Sequence, residues 1–386
     1  MKKTISRILA VLMVLCLMAT SLGILSYAEE SKAVKNIIFM IGDGMGVNSI
    51  EWTKAEKQVR LAMDTFPIQG YSMTNSLTGT TDSAAGGTAL SCGNRTYNGN
   101  VGEKAFAIGD VSCTFSTFMN SLEVAKSLGK KTGVVTSDVN SGATPASFTV
   151  HSTDRDNKED ITTKQLASGY DLIWAAANGL VNEENAAAAG WAFIDDMAEI
   201  ELLPEGTRSF GAFSGSMQVD DGSDTAAPIS ELTSLAIEKL DNDKGFFLMV
   251  EGAHIDKNSH NNEAEKMMNA LIEFDKAVAN ALEFAKEDGN TIVIVTADHE
   301  TGAIKKNSDG SFEYTSGSHS NADVPLRVYG TDELIENGEA IKNCEISQFT
   351  AKAMGYEGEY PVAEFNKNFF IDFIKSLFEF LTGWMK

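Results

Sequence analysis

The five histidines, His151, His254, His260, His299 and His319, are the side chains of this sequence with the most chemistry to offer. Three of them lie beside carboxylates or in loops rich in Gly, Ser and Asn: Asp256-Lys-Asn-Ser-His260, Asp298-His299 and Gly317-Ser318-His319-Ser320. Asp and His together, without thiolate, form the donor set of zinc at an open, catalytic position rather than a closed structural site. A single Asp-His pair is more often a surface accident. Several pairs in strand-end loops point instead to one metal-binding crevice. Ser83 is expected to open a helix through Ala84 to Leu90, where free N–H groups favour an anion. On its local sequence alone, Asp-Ser before alanines is better read as a simple N-cap.

The elements that must position these groups are legible. Apolar runs at Asn36 to Ile41, Phe246 to Val250 and Thr291 to Thr296 read as buried parallel strands, with a shorter fourth at Gly133 to Thr136. Helical patterns separate them. Ala264 to Lys286 is the clearest, its face kept apolar by Met267, Leu271, Phe274, Val278 and Leu282. The alternation predicts an α/β fold, a three-layer α/β/α sandwich around a large, mostly parallel central sheet. Acids follow the strands at once: Asp43 after Gly42, Glu251 after Val250, and Asp298 two residues beyond Thr296. The carboxyl ends of parallel strands are where open α/β sheets place their sites. A last helical pattern, Ile346 to Met354, stops at Gly355.

Four of these segments, NIIFMIGDGMG (36–46), TDSAAGGTAL (81–90), EGAHIDKNSH (251–260) and TADHETG (296–302), resemble the alkaline phosphatase family, in the family's order. Ala143-Thr-Pro-Ala146, with Arg155 nine residues beyond that alanine, is a fifth such pattern. The resemblance spans about Lys35 to Gly355 and implies hydrolysis of phosphate monoesters through a phosphorylated Ser83. It implies two zinc ions and one magnesium: one zinc on Asp256, His260 and His319, the second on Asp43, Asp298 and His299, and magnesium on Asp43, Thr144 and Glu251. Oxygen-only ligands suit magnesium and the Asp/His mixture suits zinc, so the donor chemistry agrees. Two metals roughly 4 Å apart would clamp the attacking and leaving oxygens of an in-line displacement. Arg155 resembles the phosphate clamp, its planar fork matching two non-bridging oxygens, although its acidic and basic neighbours alone would make it a surface arginine. Lys257 resembles a water-mediated phosphate contact. His151 and His254 fall outside the implied metal shells and are expected to be structural or to support ligands from behind.

One departure stands out. Gly142, two residues before Thr144, occupies a position where the family commonly has Asp or His to order the magnesium waters. Glycine cannot do so, which leaves Asn140 or Ser141 to compensate. On this reading Gly142→Asp should tighten magnesium.

Competing readings keep the fold and change the substrate, or lose the activity. A phosphodiesterase or nucleotide pyrophosphatase is opposed by Arg155 and Lys257, which favour a doubly charged terminal phosphate. A sulfatase is opposed because no cysteine begins a Cys-x-Pro-x-Arg pattern. A non-catalytic phosphate- or metal-binding surface protein is expected to have lost Ser83 or a zinc ligand, and none is missing.

Lys2, Lys3 and Arg7 precede an apolar stretch from Ile8 to Leu25 and the Ser26-Tyr27-Ala28 sequence, a signal peptide (1–28) cleaved near Ala28 for export. A retained membrane anchor is the alternative, since the stretch approaches spanning length. Cleavage moves the formal net charge from -23 to about -26. Such a surface excludes electrostatic binding to nucleic acid and obliges a phosphate site to supply strong local cations. Of the four cysteines, Cys16 leaves with the signal, and Cys92, Cys113 and Cys344 fit no zinc spacing. A Cys92–Cys113 bridge is left open. The catalytic domain is expected over 29–356, followed by a linker (357–364) and an amphipathic helix (365–386). In that tail Asn368, Asp372, Lys375, Glu379, Thr382 and Lys386 form one narrow polar stripe on an otherwise apolar surface. It is expected to dock on a membrane surface, on a second copy in a homodimer, or on its own domain.

Overall fold

The apolar runs become the centre of a ten-stranded sheet. The computed structural model describes residues 33–108, 111–213, 217 and 227–358, without the side chains of 106–108, 111–113 and 115. The expected signal peptide (1–28) and C-terminal helix (365–386) fall outside the described residues. The sheet strands, in chain order, are β1 (Asn36–Gly42), β2 (Ile68–Met73), β3 (Lys131–Val139), β4 (Leu172–Ala176), β5 (Ala192–Ile194), β6 (Ser209–Phe213), β7 (Phe246–Gly252), β8 (Thr291–Thr296), β9 (Val324–Tyr329) and β10 (Ala340–Lys342). They lie in the order β10-β2-β9-β8-β1-β7-β3-β4-β6-β5. Only the β8–β9 and β9–β2 pairings are antiparallel.

Every residue of β1, β7 and β8 is buried, which is why these strands read as continuous apolar runs. Side chains alternate across the sheet, so one strand feeds two cores. Ile38 and Met40 join a core with Leu248 and Val250, covered by helices α3 (Ile229–Leu240) and α5 (Ala264–Asp288). Ile37, Phe39 and Ile41 join the other with Phe247 and Met249, to which Leu90 of helix α1 (Ser83–Cys92), Phe148 of α2 (Ala143–Thr149) and Ile346 of α6 (Asn343–Ala353) contribute. This is the three-layer α/β/α sandwich that the alternation predicts.

Differences from the sequence reading lie at boundaries. β3 runs five residues longer than expected, and Glu251 lies within β7 rather than after it. The last helix ends before Gly355, whose positive φ of 89° stops it as expected. Among the described residues no helix is long and apolar enough to cross a membrane. Cys92 is a free, buried thiol.

Candidate metal centre and nucleophile

The site forms at the carboxyl ends of the central strands. Asp43 follows β1, Glu251 is the penultimate residue of β7, and Asp298-His299 follows β8. Asp256, Lys257 and His260 lie on one short helix, α4 (His254–His260), whose four-residue spacing aims Asp256 and His260 the same way. His319 comes from a two-residue strand that pairs with Glu300–Thr301, so an antiparallel pairing carries it back over His299. The two rings stack with centroids 3.5 Å apart.

Glycines permit the close approach. Gly44 turns with φ +71°, and a Cβ there would meet Asp256 at 2.8 Å. A Cβ on Gly86 would meet the Asp298 carbonyl oxygen at 2.9 Å, and one on Gly87 the Ser147 hydroxyl at 2.4 Å. The Gly-Gly pair after Ser83 therefore lets α1 press against both the Asp298 loop and the Thr144 helix.

Ser83 is the first residue of α1, with Asp82 as its N-cap, accepting from Ala85 N–H at 3.0 Å. Ser83 is thus not the cap, as its local sequence indicated; its hydroxyl is left to lie 3.1 Å from His299 Nε2. The other oxygen of Asp82 accepts from Arg155 Nη1 at 3.0 Å and from Gly99 N–H at 2.9 Å, which places the guanidinium beside the helix start.

The three loop histidines share one protonation logic. His260 Nδ1 lies 2.8 Å from the Gly317 carbonyl oxygen and His319 Nδ1 2.9 Å from that of Thr81, so each donates outward through Nδ1. Thr301 gives its hydroxyl proton to Asp256 Oδ1 and can accept from His299 Nδ1 at 3.2 Å. Each ring therefore commits Nδ1 outward and turns Nε2 inward, the nitrogen that metal-binding histidines of this arrangement present to an ion. His260 Nε2 and His319 Nε2 face each other at 3.0 Å, with Asp256 oxygens 3.3 Å from the first and 3.6 Å from the second. His299 Nε2 lies 3.1 Å from Asp298 Oδ2 and 3.6 Å from Asp43 Oδ1.

Both of those carboxylate oxygens are buried and accept no hydrogen bond. Unpaired buried carboxylates cost several kcal/mol each. Burial, then the charges of Asp298, Asp256 and Glu251, hold the Asp43 carboxyl well above the usual carboxylate range. Burial, then Asp138, push Glu251 up to about 8 against the hydrogen bond from Thr136. Orphaned carboxylate oxygens and convergent imidazole nitrogens fit divalent cations. Two groups have their donor atoms within 4.8 Å of one another: Asp256, His260 and His319, and Asp43, Asp256 and His299. Asp256 thus lies within reach of both. Thr144 Oγ1 lies 3.3 Å from Asp43 Oδ2, and Glu251 is near enough for its charge to raise the Asp43 carboxyl; the three offer oxygen alone, in keeping with magnesium.

The expected ligands therefore lie together, with Arg155 held beside them by Asp82 and Lys257 by Asp138. His151 stands apart, bonded to Glu123 and Gly102. His254 is half-buried, its buried Nδ1 without a partner among the described residues, and it is pushed down to about 4 by burial and then by Lys257. Neither is brought to the histidine cluster. Sequence reasoning missed Asp82, Thr301 and Asp138. The first two sit inside recognised motifs as hydrogen-bonding neighbours of a nucleophile and a ligand. Asp138 follows the Gly133–Thr136 run, so the strand-end rule that found Asp43 and Asp298 would have found it too. The Gly142 reading also needs correction. Asn140 donates to Thr162 and Gln165, and Ser141 accepts from Asn178, so neither faces the metal cluster.

A family model described as alkaline phosphatase matches residues 34–183 and 172–354. The chain is 32% identical to alkaline phosphatase 3 of Bacillus subtilis, over 75% of this chain and 67% of the relative. It is 30% identical to the alkaline phosphatase of Escherichia coli, over 78% and 82%. The solved alkaline phosphatase of the Antarctic bacterium TAB5 superposes with a TM-score of 0.73 at 30% identity, covering 85% of this chain and 99% of that one. A variant of the TAB5 enzyme was solved with Mg bound in its M3 site.

Proposed function

Because this chain belongs to the alkaline phosphatase family, we propose that it is an exported phosphomonoesterase that works through a phosphoserine at Ser83 with two zinc ions and one magnesium. The observation that carries the reading is the placement of the Ser83 hydroxyl at a helix N-terminus, 3.1 Å from His299 Nε2, a nitrogen that also faces the orphaned Asp43 and Asp298 oxygens.

Asp43, Asp298 and His299 would hold one zinc beside Ser83, and Asp256, His260 and His319 the other, with magnesium on Asp43, Thr144 and Glu251. The ions, when bound, supply Lewis acidity at the attacking and leaving oxygens. Ser83 Oγ attacks phosphorus in line as the ester P–O bond breaks, and the proton given up by Ser83 to solvent is matched by one that the leaving oxygen takes up, so the phosphoryl group stays on Ser83 and the alcohol departs. Water then attacks the same phosphorus and frees Ser83 and inorganic phosphate. Arg155, poised by Asp82 at the mouth of α1, binds two non-bridging oxygens. The N–H groups at the start of α1 face the same anion. A terminal phosphate carrying two charges suits Arg155 better than a diester.

Hydrolysis of p-nitrophenyl phosphate against bis-p-nitrophenyl phosphate, with and without chelator, tests the reading. Monoester preference that chelator abolishes is expected. Diester preference moves the chain to the phosphodiesterase reading, and metal binding without turnover to the non-catalytic one. Export predicts a mature N-terminus at Glu29, read by mass spectrometry.

A further inference from the structure

The inference concerns the open side of the oxygen-only cluster and rests on the three-metal reading above. β3 pairs in register with β4 up to Val135 opposite Trp174, and next at Val139 opposite Ala176. Four residue steps on one strand thus match two on the other, a bulge of Thr136, Ser137 and Asp138 at the rim of the site. Bulges re-aim side chains in this way next to active sites.

The bulge ties Asp138 to Glu251. Thr136 donates its hydroxyl proton to Glu251 Oε2 and accepts from the Asp138 N–H at 2.9 Å. Asp138 Oδ1 accepts from Val139 N–H at 2.7 Å and from the Lys257 ammonium. Oδ2 has no protein donor among the described residues, and it lies over Gly142: a Cβ there would stand 2.5 Å from it. The carboxylate fills the space that a side chain at 142 would need.

We propose that Asp138 is a positioning residue of the magnesium site, its carboxylate accepting hydrogen bonds from waters on the ion and replacing, from the strand, any group at position 142. Magnesium keeps several of its waters when protein-bound, and Asp43, Thr144 and Glu251 leave coordination positions for them. Those waters need acceptors, and Asn140 and Ser141 are turned away. A bound divalent ion also relieves the repulsion between Asp138 and Glu251. Lys257 neutralises Asp138 from the other side without occupying Oδ2.

The test is calorimetric titration of magnesium into zinc-loaded, magnesium-free protein, with thermal unfolding as a check on folding. Asp138→Asn keeps the shape and removes the charge, and magnesium should bind roughly 10- to 100-fold more weakly with zinc content unchanged. Lys257→Met should leave magnesium affinity equal or tighter, since the carboxylate remains. Adding Gly142→Asp to Asp138→Ala should restore most of the affinity, because the new carboxylate enters the vacated space. Equal affinity for wild type and Asp138→Asn overturns the inference. So does a loss in Lys257→Met equal to that in Asp138→Asn, which would assign the effect to the ion pair. If wild type binds no third divalent ion, the three-metal reading falls and takes this inference with it.

Discussion

His151 and the His260–His299–His319 cluster are the same side chain put to opposite uses. His151 lies 3.1 Å through Nδ1 from the Gly102 carbonyl oxygen and 3.0 Å through Nε2 from Glu123, so both nitrogens are satisfied within the protein. The cluster commits its outer nitrogens to the protein and turns the inner ones toward Asp256, Asp298 and Asp43, of which Asp43 Oδ1 and Asp298 Oδ2 are unpartnered. A polar group with all its bonds made stabilises a fold, whereas groups left unpaired together need something from outside. His254 shows that one orphaned nitrogen is insufficient, because among the described residues no metal-ligating group of three gathers around it.

Breaking the cluster should have the largest consequences. Ser83→Ala should lower turnover by at least about 10⁴-fold with zinc content unchanged. A phosphorylated intermediate trapped on that variant would assign the nucleophile elsewhere. His319→Ala removes an inward nitrogen and should weaken zinc binding by about 100-fold or more, with chelated wild type falling to background activity and recovering on zinc addition. Zinc stoichiometry measured by atomic emission decides this one. Arg155→Ala should cost only about tenfold in turnover, since metals carry most of the developing charge, while weakening inhibition by inorganic phosphate. An unchanged inhibition constant removes Arg155 from the site. Gly142→Asp alone, which the sequence read as tightening magnesium, should instead leave magnesium affinity unchanged in the same titration, because the Asp138 carboxylate already fills that space.

The satisfied histidine should respond in the opposite sense. Burial alone would lower His151, but Glu123 outweighs it and raises the imidazole, while His151 holds Glu123 down. Stabilisation from His151 is therefore full below its unfolded value near 6.5 and lost as pH rises through the raised folded value. Stabilisation from Glu123 is present above its unfolded value near 4.3 and lost as pH falls. His151→Ala should cost about 1 kcal/mol between these limits, less at pH 9, because the pair is partly exposed. Turnover should not change. Denaturant titration at several pH values measures the first effect, and a change in kcat would place His151 in the site after all.

Much of this was written in the chain itself. The buried strands around Asn36, Phe246 and Thr291 were readable because strands covered on both faces are apolar at every position. The acids at their ends were readable because a charge directly after such a run has few other places to go. The five motifs, through their resemblance to a family, assigned roles to Asp43, Ser83, Asp256 and His299 that spacing alone could not.

What only the tertiary structure decided is how groups from separate segments share one space. Nothing local distinguishes Asp82 from Ser83 as the cap, and only the fold sets Arg155 against Asp82. His319 reaches His260 through an antiparallel pairing too short to leave a pattern in the sequence. Gly142 looked like a missing ligand because sequence registers an absent side chain, not the atom that fills its volume. The carboxylate of Asp138 lies there, four positions away in the chain, because a bulge at the end of β3 turns it in. Sequence fixes which donors exist. Packing decides which of them occupy the same cavity, because excluded volume and charge act between neighbours in space and not along the chain.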